Sequence, residues 1–118
     1  MQYLLLIYDD EKKINALSQA DQGAMFGAYM DFTNGIKKSG NYRAGDALQP
    51  IATATSVRVR DGKTLQTDGP FAETREQLGG YYLVEAKDLD EAVAIAARIP
   101  SARTGTIEVR PVVVFDKP

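Results

Sequence analysis

The chain has 118 residues, of which 44% are hydrophobic and 25% charged, which suits one soluble globular domain spanning residues 1–118. The net charge is −2, with the Lys and Arg residues scattered among acids, so no basic face is expected for direct nucleic-acid binding. Cysteine and histidine are both absent, which excludes disulfides, thiolate catalysis, His-paired nucleophiles and Cys- or His-ligated metals. We therefore expect no metal and no cofactor, and any acid–base work falls to Asp, Glu, Tyr and Lys.

The first apolar run, residues 3–8, predicts a strand over residues 2–8. It is too short to span a bilayer and lacks the charged segment and cleavage site of a signal peptide, so a cytoplasmic protein without membrane contact is expected. Alternate side chains along this strand are apolar on both sides, so both of its faces require burial. The acids that follow, Asp9, Asp10 and Glu11, predict a solvated strand end with no regular cation-binding loop.

Two segments have helical periodicity. Ser18 is an expected N-cap for a helix over residues 18–39, which Gly40 terminates in a left-handed conformation. Asp88 is the expected N-cap of a second helix, which ends near Pro100.

The remaining segments predict strands joined by turns. Strands are expected over residues 42–48, 53–60, 63–67, 81–86 and 106–115. Asp61-Gly62 favours a two-residue hairpin turn, and residues 73–78 predict a helical turn. Pro111 indicates that the last strand lies at an edge or carries a bulge.

This order predicts an α+β fold of the ferredoxin-like split βαβ type, with an antiparallel sheet and an inserted hairpin. Two helices cover one face of such a sheet and leave the other uncovered. An isologous homodimer through the sheet faces is the simplest way to bury the second face, because it adds a layer without new sequence.

One stretch is specific to a family. Residues 67–82 read TDGPFAETREQLGGYY, and the segment Asp68-Gly69-Pro70-Phe71 resembles the signature of the DGPF group of YCII-related proteins. The resemblance extends through residues 48–50, 52–58, 61–63, 88–92, 99–100 and 107–111, and so covers nearly the whole chain.

The resemblance implies a ferredoxin-like protomer that dimerises through its sheets, as in the dimeric α/β-barrel proteins, with a cleft near the dimer centre. It also implies dehalogenation or lactone-type chemistry in some members, supported by a His-Asp pair. DGPF proteins often accompany extracytoplasmic-function sigma factors. This chain has no histidine and departs from the His-Asp pattern.

Five residues are the candidates for a site in that cleft. Asp68 lies on a stiff turn and is either a general base or an acceptor of backbone N–H groups of that turn. Arg75 with Glu73 is either a clamp for a ligand carboxylate, or part of a solvated charged turn or of an ion pair across the dimer. Tyr82 and Tyr8 are either proton donors or ligand contacts in a partly dry cleft, or packing residues with satisfied hydroxyls.

Two functions follow from the sequence. The first is binding of a small molecule in the dimer cleft, with Asp-based acid–base chemistry as a possible addition. The alternative is a non-catalytic protein-interaction partner in sigma-factor or stress-response regulation. A purely structural oligomer is not separable from that alternative by sequence.

Overall fold

The computed structural model describes residues 1–115. In chain order the elements are β1 (Gln2–Asp9), α1 (Glu11–Asn15), α2 (Gln19–Lys38), β2 (Tyr42–Ala47), β3 (Thr55–Arg60), β4 (Lys63–Asp68), β5 (Gln77–Glu85), α3 (Leu89–Ala97) and β6 (Thr106–Pro111). Short 3-10 segments cover Ile51–Thr53 and Pro100–Arg103. None of the helices within residues 1–115 combines the length and the apolarity that crossing a bilayer requires.

The main sheet has four antiparallel strands in the order β2-β5-β1-β6. This α+β arrangement is compatible with the predicted ferredoxin-like fold. The inserted hairpin of β3 and β4 forms a second, two-stranded sheet, which we call the arm (residues 55–68). The edge position of β6 confirms the expectation drawn from Pro111.

The local signals for helix ends and for the hairpin turn are confirmed. The Ser18 hydroxyl accepts a hydrogen bond from the Asp21 backbone N–H at 3.1 Å and thereby caps α2. Gly40 follows α2 with a φ of 84°, the left-handed conformation that glycine adopts without steric cost. Asp61 and Gly62 have φ angles of 51° and 75°, as the predicted hairpin turn requires.

Two expectations are wrong because a tertiary contact outweighs a local preference, and one short helix was not predicted. The helical turn at residues 73–78 is absent from the described structure, since Gln77 and Leu78 pair with β1 as the start of β5. Helix α1 was not expected; the Asp10 carboxylate caps it by accepting from the N–H groups of Lys12 and Lys13. Strand β6 ends at Pro111, because the β1 strand beside it begins at Gln2.

The core lies between the sheet and the helices α2 and α3. Its largest fully buried side chains are Leu5 of β1, Ile36 of α2, Val84 of β5 and Ile99, which follows α3. The alternate side chains of the central strands point to the other side of the sheet, where they stay half-buried. We call this side the open face; its apolar residues are Leu4, Leu6, Tyr8, Tyr81 and Leu83.

Candidate functional site

A cavity of about 290 Å³ lies between helix α2 and strands β1, β2 and β5, and we call it the helix–sheet cavity. Its apolar wall includes Ile7, Ile14 and Met25. Its polar and aromatic lining consists of Asp9, Glu11, Tyr29, Thr33, Tyr42, Asp46, Gln77, Tyr81 and Tyr82. An apolar hollow with a few polar groups is the usual form of a small-molecule site.

Two glycines in neighbouring strands shape this cavity. A Cβ atom at Gly45 would lie 2.7 Å from Cδ1 of Tyr82, so the Tyr82 ring packs where a side chain on β2 would otherwise stand. A Cβ atom at Gly80 would lie 2.9 Å from the backbone oxygen of Asp46. The sheet surface under α2 therefore depends on residues without side chains, as expected where a backbone is closely approached.

The two buried phenols of the cavity are held by hydroxyl partners. The Tyr82 hydroxyl lies 2.6 Å from Oγ1 of Thr33, and the Tyr29 hydroxyl donates to Oγ of Ser101 at 2.6 Å. The Tyr82 ring also meets the Phe32 ring edge-on, with 5.1 Å between centroids. Burial raises the pKa of both Tyr29 and Tyr82 above the ordinary 10.0. Both phenols are therefore neutral near pH 7 and serve as hydrogen-bond groups rather than as anions.

Asp9 is the only buried carboxylate among the described residues, with 7% of its surface exposed. Its Oδ1 accepts from the Asp10 backbone N–H at 2.8 Å, and its Oδ2 accepts from the Thr104 hydroxyl at 2.7 Å. Gly105 makes this approach possible, because a Cβ atom there would overlap the Tyr8 backbone oxygen at 2.0 Å. The predicted solvated strand end is thus wrong at Asp9: the turn before β6 covers it.

The charge of the lining is one-sided. Among the described residues, three acids and no Lys or Arg contribute to it, and the carboxylate of one of them, Asp46, lies on the open face beside Tyr81. Glu11 accepts from the Ile51 backbone N–H at 3.0 Å, and Asp46 accepts from the Tyr81 hydroxyl at 2.7 Å, a bond that raises the pKa of Tyr81. Within residues 1–115 no group of three or more acids is placed to hold a metal ion. The formal charge of the described side chains that face the cavity is therefore negative.

The comparisons with known proteins agree with the sequence resemblance. The model of the YCII-related domain matches residues 1–116. The chain belongs to the YCII-related family. A relative from Rhizobium meliloti (strain 1021), named "Uncharacterized protein R00369", is 34% identical over 117 residues, covering 98% of this chain and 94% of the relative.

In this YCII-related protein the five predicted site residues do not share one cavity. Tyr82 lines the helix–sheet cavity. Tyr8 lies on the open face and lines a second hollow of about 620 Å³, which we call the arm-base hollow because residues 48–56 and 70–74 beside the arm form most of it. Asp68, Glu73 and Arg75 are exposed and line neither hollow. Their roles stay predictions.

The sequence analysis missed Asp9 as a buried group. A signal for it was present, because Asp9 continues the two-residue period of the buried side chains Tyr3, Leu5 and Ile7. An acid in phase with three core residues is a candidate for burial. No comparable signal existed for Thr104, whose contact with Asp9 depends on the path of a distant turn.

Proposed function

We propose that this YCII-related protein binds a small uncharged or cationic molecule in the helix–sheet cavity, as a cytoplasmic homodimer. The observation that carries the proposal is a buried carboxylate, Asp9, in the wall of a cavity to which no Lys or Arg within residues 1–115 contributes. Burying a carboxylate without a counter-charge is costly. A ligand with an ammonium or hydroxyl group facing Asp9 would offset part of that cost.

The volume of the helix–sheet cavity limits the ligand. Its 290 Å³ lies at the lower end of the roughly 300–1,000 Å³ range of ligand pockets. A molecule about the size of one substituted ring suits it, with its apolar part against Ile14 and Met25. The Tyr42 and Tyr82 rings offer aromatic surface for such a ring, while the Lys37 ammonium already lies 4.9 Å from the centroid of the Tyr42 ring.

Acid–base chemistry on such a ligand would use a carboxylate as base and a neutral phenol as acid. Asp9 is the buried carboxylate of the lining, and Tyr82 is one of its neutral phenols. The expectation that Asp68 is the base and that Arg75 and Glu73 hold the ligand stays a prediction. The alternative of a non-catalytic partner in sigma-factor regulation likewise stays a prediction from the resemblance.

Dimerisation through the open face, as in a dimeric α/β barrel, is part of the proposal. It is supported by the half-buried apolar side chains of Leu4, Leu6 and Leu83 on the side of the sheet opposite α2 and α3. The protomer is flat, since it measures 51, 48 and 18 Å along its three principal axes. A flat protomer of this kind leaves a large face to be covered by a second copy.

A titration with three probes of nearly equal size tests the ligand proposal. Benzylamine, benzyl alcohol and benzoate differ mainly in charge, and binding is followed by amide NMR shifts. We expect saturable shifts at Gly45, Gly80 and Tyr82 with benzylamine and benzyl alcohol, and none with benzoate. Asp9→Asn should remove the preference for benzylamine over benzyl alcohol. Benzoate binding as tightly as benzylamine would refute the proposal, as would shifts confined to residues outside this cavity.

A further inference from the structure

The arm has a surface that its own protomer leaves uncovered. Of the residues in β3 and β4, only Ser56 is even half-buried, and all the others are exposed. Val57 and Val59 have 61% and 59% of their surfaces exposed. An isolated two-stranded hairpin is marginally stable in water, because it lacks a third strand or helix to pack against. A strand pair of this kind therefore requires another surface.

The register of the hairpin sorts its side chains onto two unlike faces. Val57 and Val59 lie on one face with their cross-strand neighbours Gln66 and Thr64, and Asp68 lies at its base. We call this the valine face. The opposite face carries all three cations of the two strands, Arg58, Arg60 and Lys63, together with Ser56, Leu65 and Thr67. One face thus suits contact with an apolar surface, and the other suits water.

The two strands of the arm stay paired at its base. The Gly69 backbone N–H donates to the oxygen of Ala54 at 2.7 Å, and the Ser56 hydroxyl donates to the oxygen of Gly69 at 2.8 Å. The radius of gyration is 16.4 Å, whereas a compact domain of this length would have about 13.5 Å. The arm therefore projects from the body instead of folding onto its own sheet.

From these observations we infer that the arm is a dimerisation clasp: its valine face packs against a second copy of this chain, beside the contact between the open faces. The inference rests on the proposed dimer and adds the surface that completes it. In an isologous dimer the arm of each copy contacts the other copy, so one symmetric contact buries the exposed valines of both.

Charge favours a second copy as the occupant. The open face has few charged groups: Arg110 pairs with Glu108 at 3.3 Å, Glu85 pairs with the Met1 ammonium, and Asp46 accepts from the Tyr81 hydroxyl. The valine face has a single charge, Asp68 at its base. Two weakly charged apolar surfaces on one chain match each other, whereas a strongly charged partner would match the opposite face of the arm.

The size of the two surfaces also favours a second copy of the chain as the partner. The open face has four strands of about 20 Å at a spacing of about 4.8 Å, which gives roughly 400 Å² in projection. A stable interface covers about 800 Å² on each partner. The valine face adds roughly 200 Å² in projection, and side-chain relief raises the accessible area of both surfaces. The open face alone falls short of a standard interface, and the arm brings the total near to it.

Sedimentation equilibrium of the full chain with paired variants tests the clasp. Val57→Ser with Val59→Ser changes the valine face, and Arg58→Ser with Arg60→Ser is the matched control on the same strand. We expect the valine pair to raise the dimer dissociation constant at least roughly ten-fold and the arginine pair to change it by less than about two-fold. Circular dichroism checks that each variant stays folded.

Leu6→Asp on the open face distinguishes a failure of the clasp from a failure of the dimer itself. If Leu6→Asp dissociates the dimer while the valine pair leaves it unchanged, the clasp is refuted and the dimer stands. A wild-type protein that is monomeric at concentrations of about 100 µM would refute both.

Cysteine protection gives a second measurement, which does not depend on weakening the dimer. The chain has no cysteine, so Val57→Cys and Arg58→Cys each introduce a single thiol for reaction with dithionitrobenzoate. We expect the Val57→Cys thiol to react several-fold more slowly at dimer concentrations, with the two rates converging on dilution. Equal rates in the dimer would overturn the clasp.

Discussion

The hydroxyl of Thr104 donates a 2.7 Å hydrogen bond to Oδ2 of Asp9, joining two residues that are 95 positions apart in the chain. Asp9 ends the first strand, and Thr104 stands in the turn before the last strand. The contact holds the only buried carboxylate of the described residues, which lines the helix–sheet cavity. The stability of the protein therefore depends on this pair.

Thr104→Val should destabilise the protein by roughly 1–3 kcal/mol, because it removes a hydrogen-bond donor to a buried carboxylate. Valine has nearly the same shape as threonine, so the effect reports the lost hydrogen bond. Urea unfolding measures the change. Thr106→Val is the matched control: its hydroxyl donates to Glu76 at 2.8 Å in an exposed bond, so its loss should cost less than about 0.5 kcal/mol. Equal losses in the two variants would contradict the structural role of Asp9.

Gly45→Ala should destabilise the protein by roughly 1–3 kcal/mol and displace the Tyr82 ring, since the new Cβ would stand 2.7 Å from that ring. Thermal unfolding and the NMR shifts of Tyr82 report the two effects. Gly79→Ala in the neighbouring strand is the control, because nothing lies within 4 Å of its Cβ position. If Gly45→Ala leaves both the stability and the Tyr82 shifts unchanged, the close packing of the Tyr82 ring on Gly45 is contradicted.

Gly23→Ala should stabilise the protein by roughly 0.5–1 kcal/mol. Gly23 lies within α2 and has no heavy atom within 4 Å of its Cβ position, so alanine restores helix propensity without a clash. Gly40→Ala serves as the opposite case, since its φ of 84° penalises any side chain. In chemical denaturation, the unfolding midpoint should rise for Gly23→Ala and fall for Gly40→Ala. A destabilised Gly23→Ala variant would indicate that another surface packs against α2 at this position.

Stability should fall above about pH 10. Burial raises the folded-state pKa of Tyr82 and Tyr29 above their ordinary 10.0, so the unfolded chain loses these protons first. The stabilisation is fully present below the unfolded pKa and is lost as the pH rises through the folded pKa. Urea unfolding at pH 8 and pH 10.5 measures the loss of stability, and tyrosinate absorbance follows the ionisation of the tyrosines. Tyr82→Phe should flatten the alkaline decline; an unchanged pH profile in that variant would assign the decline to other groups.

Several features of this protein were determined by the sequence alone, because the chemistry that creates them is local. Ser18 caps the helix that follows it through a bond spanning three residues, and Asp88 does the same for α3 at 2.9 Å. Asp61-Gly62 forms its turn through its own backbone preferences. The apolar side chains on both sides of β1 likewise predicted a strand whose two faces require burial, and the α+β architecture followed from the order of such elements.

Only the tertiary structure decided where the chemical groups meet. Tyr8 and Tyr82 were grouped together from sequence, yet the pleat of adjacent strands sends them to opposite faces of the sheet. Asp68, Glu73 and Arg75 were expected in a cleft of the dimer; in the protomer they are exposed, with Asp68 at the base of the arm, and their roles stay predictions. Asp9 is buried because a turn 95 residues later passes over it. Local propensity acts over a few residues, whereas burial and proximity depend on how distant segments pack.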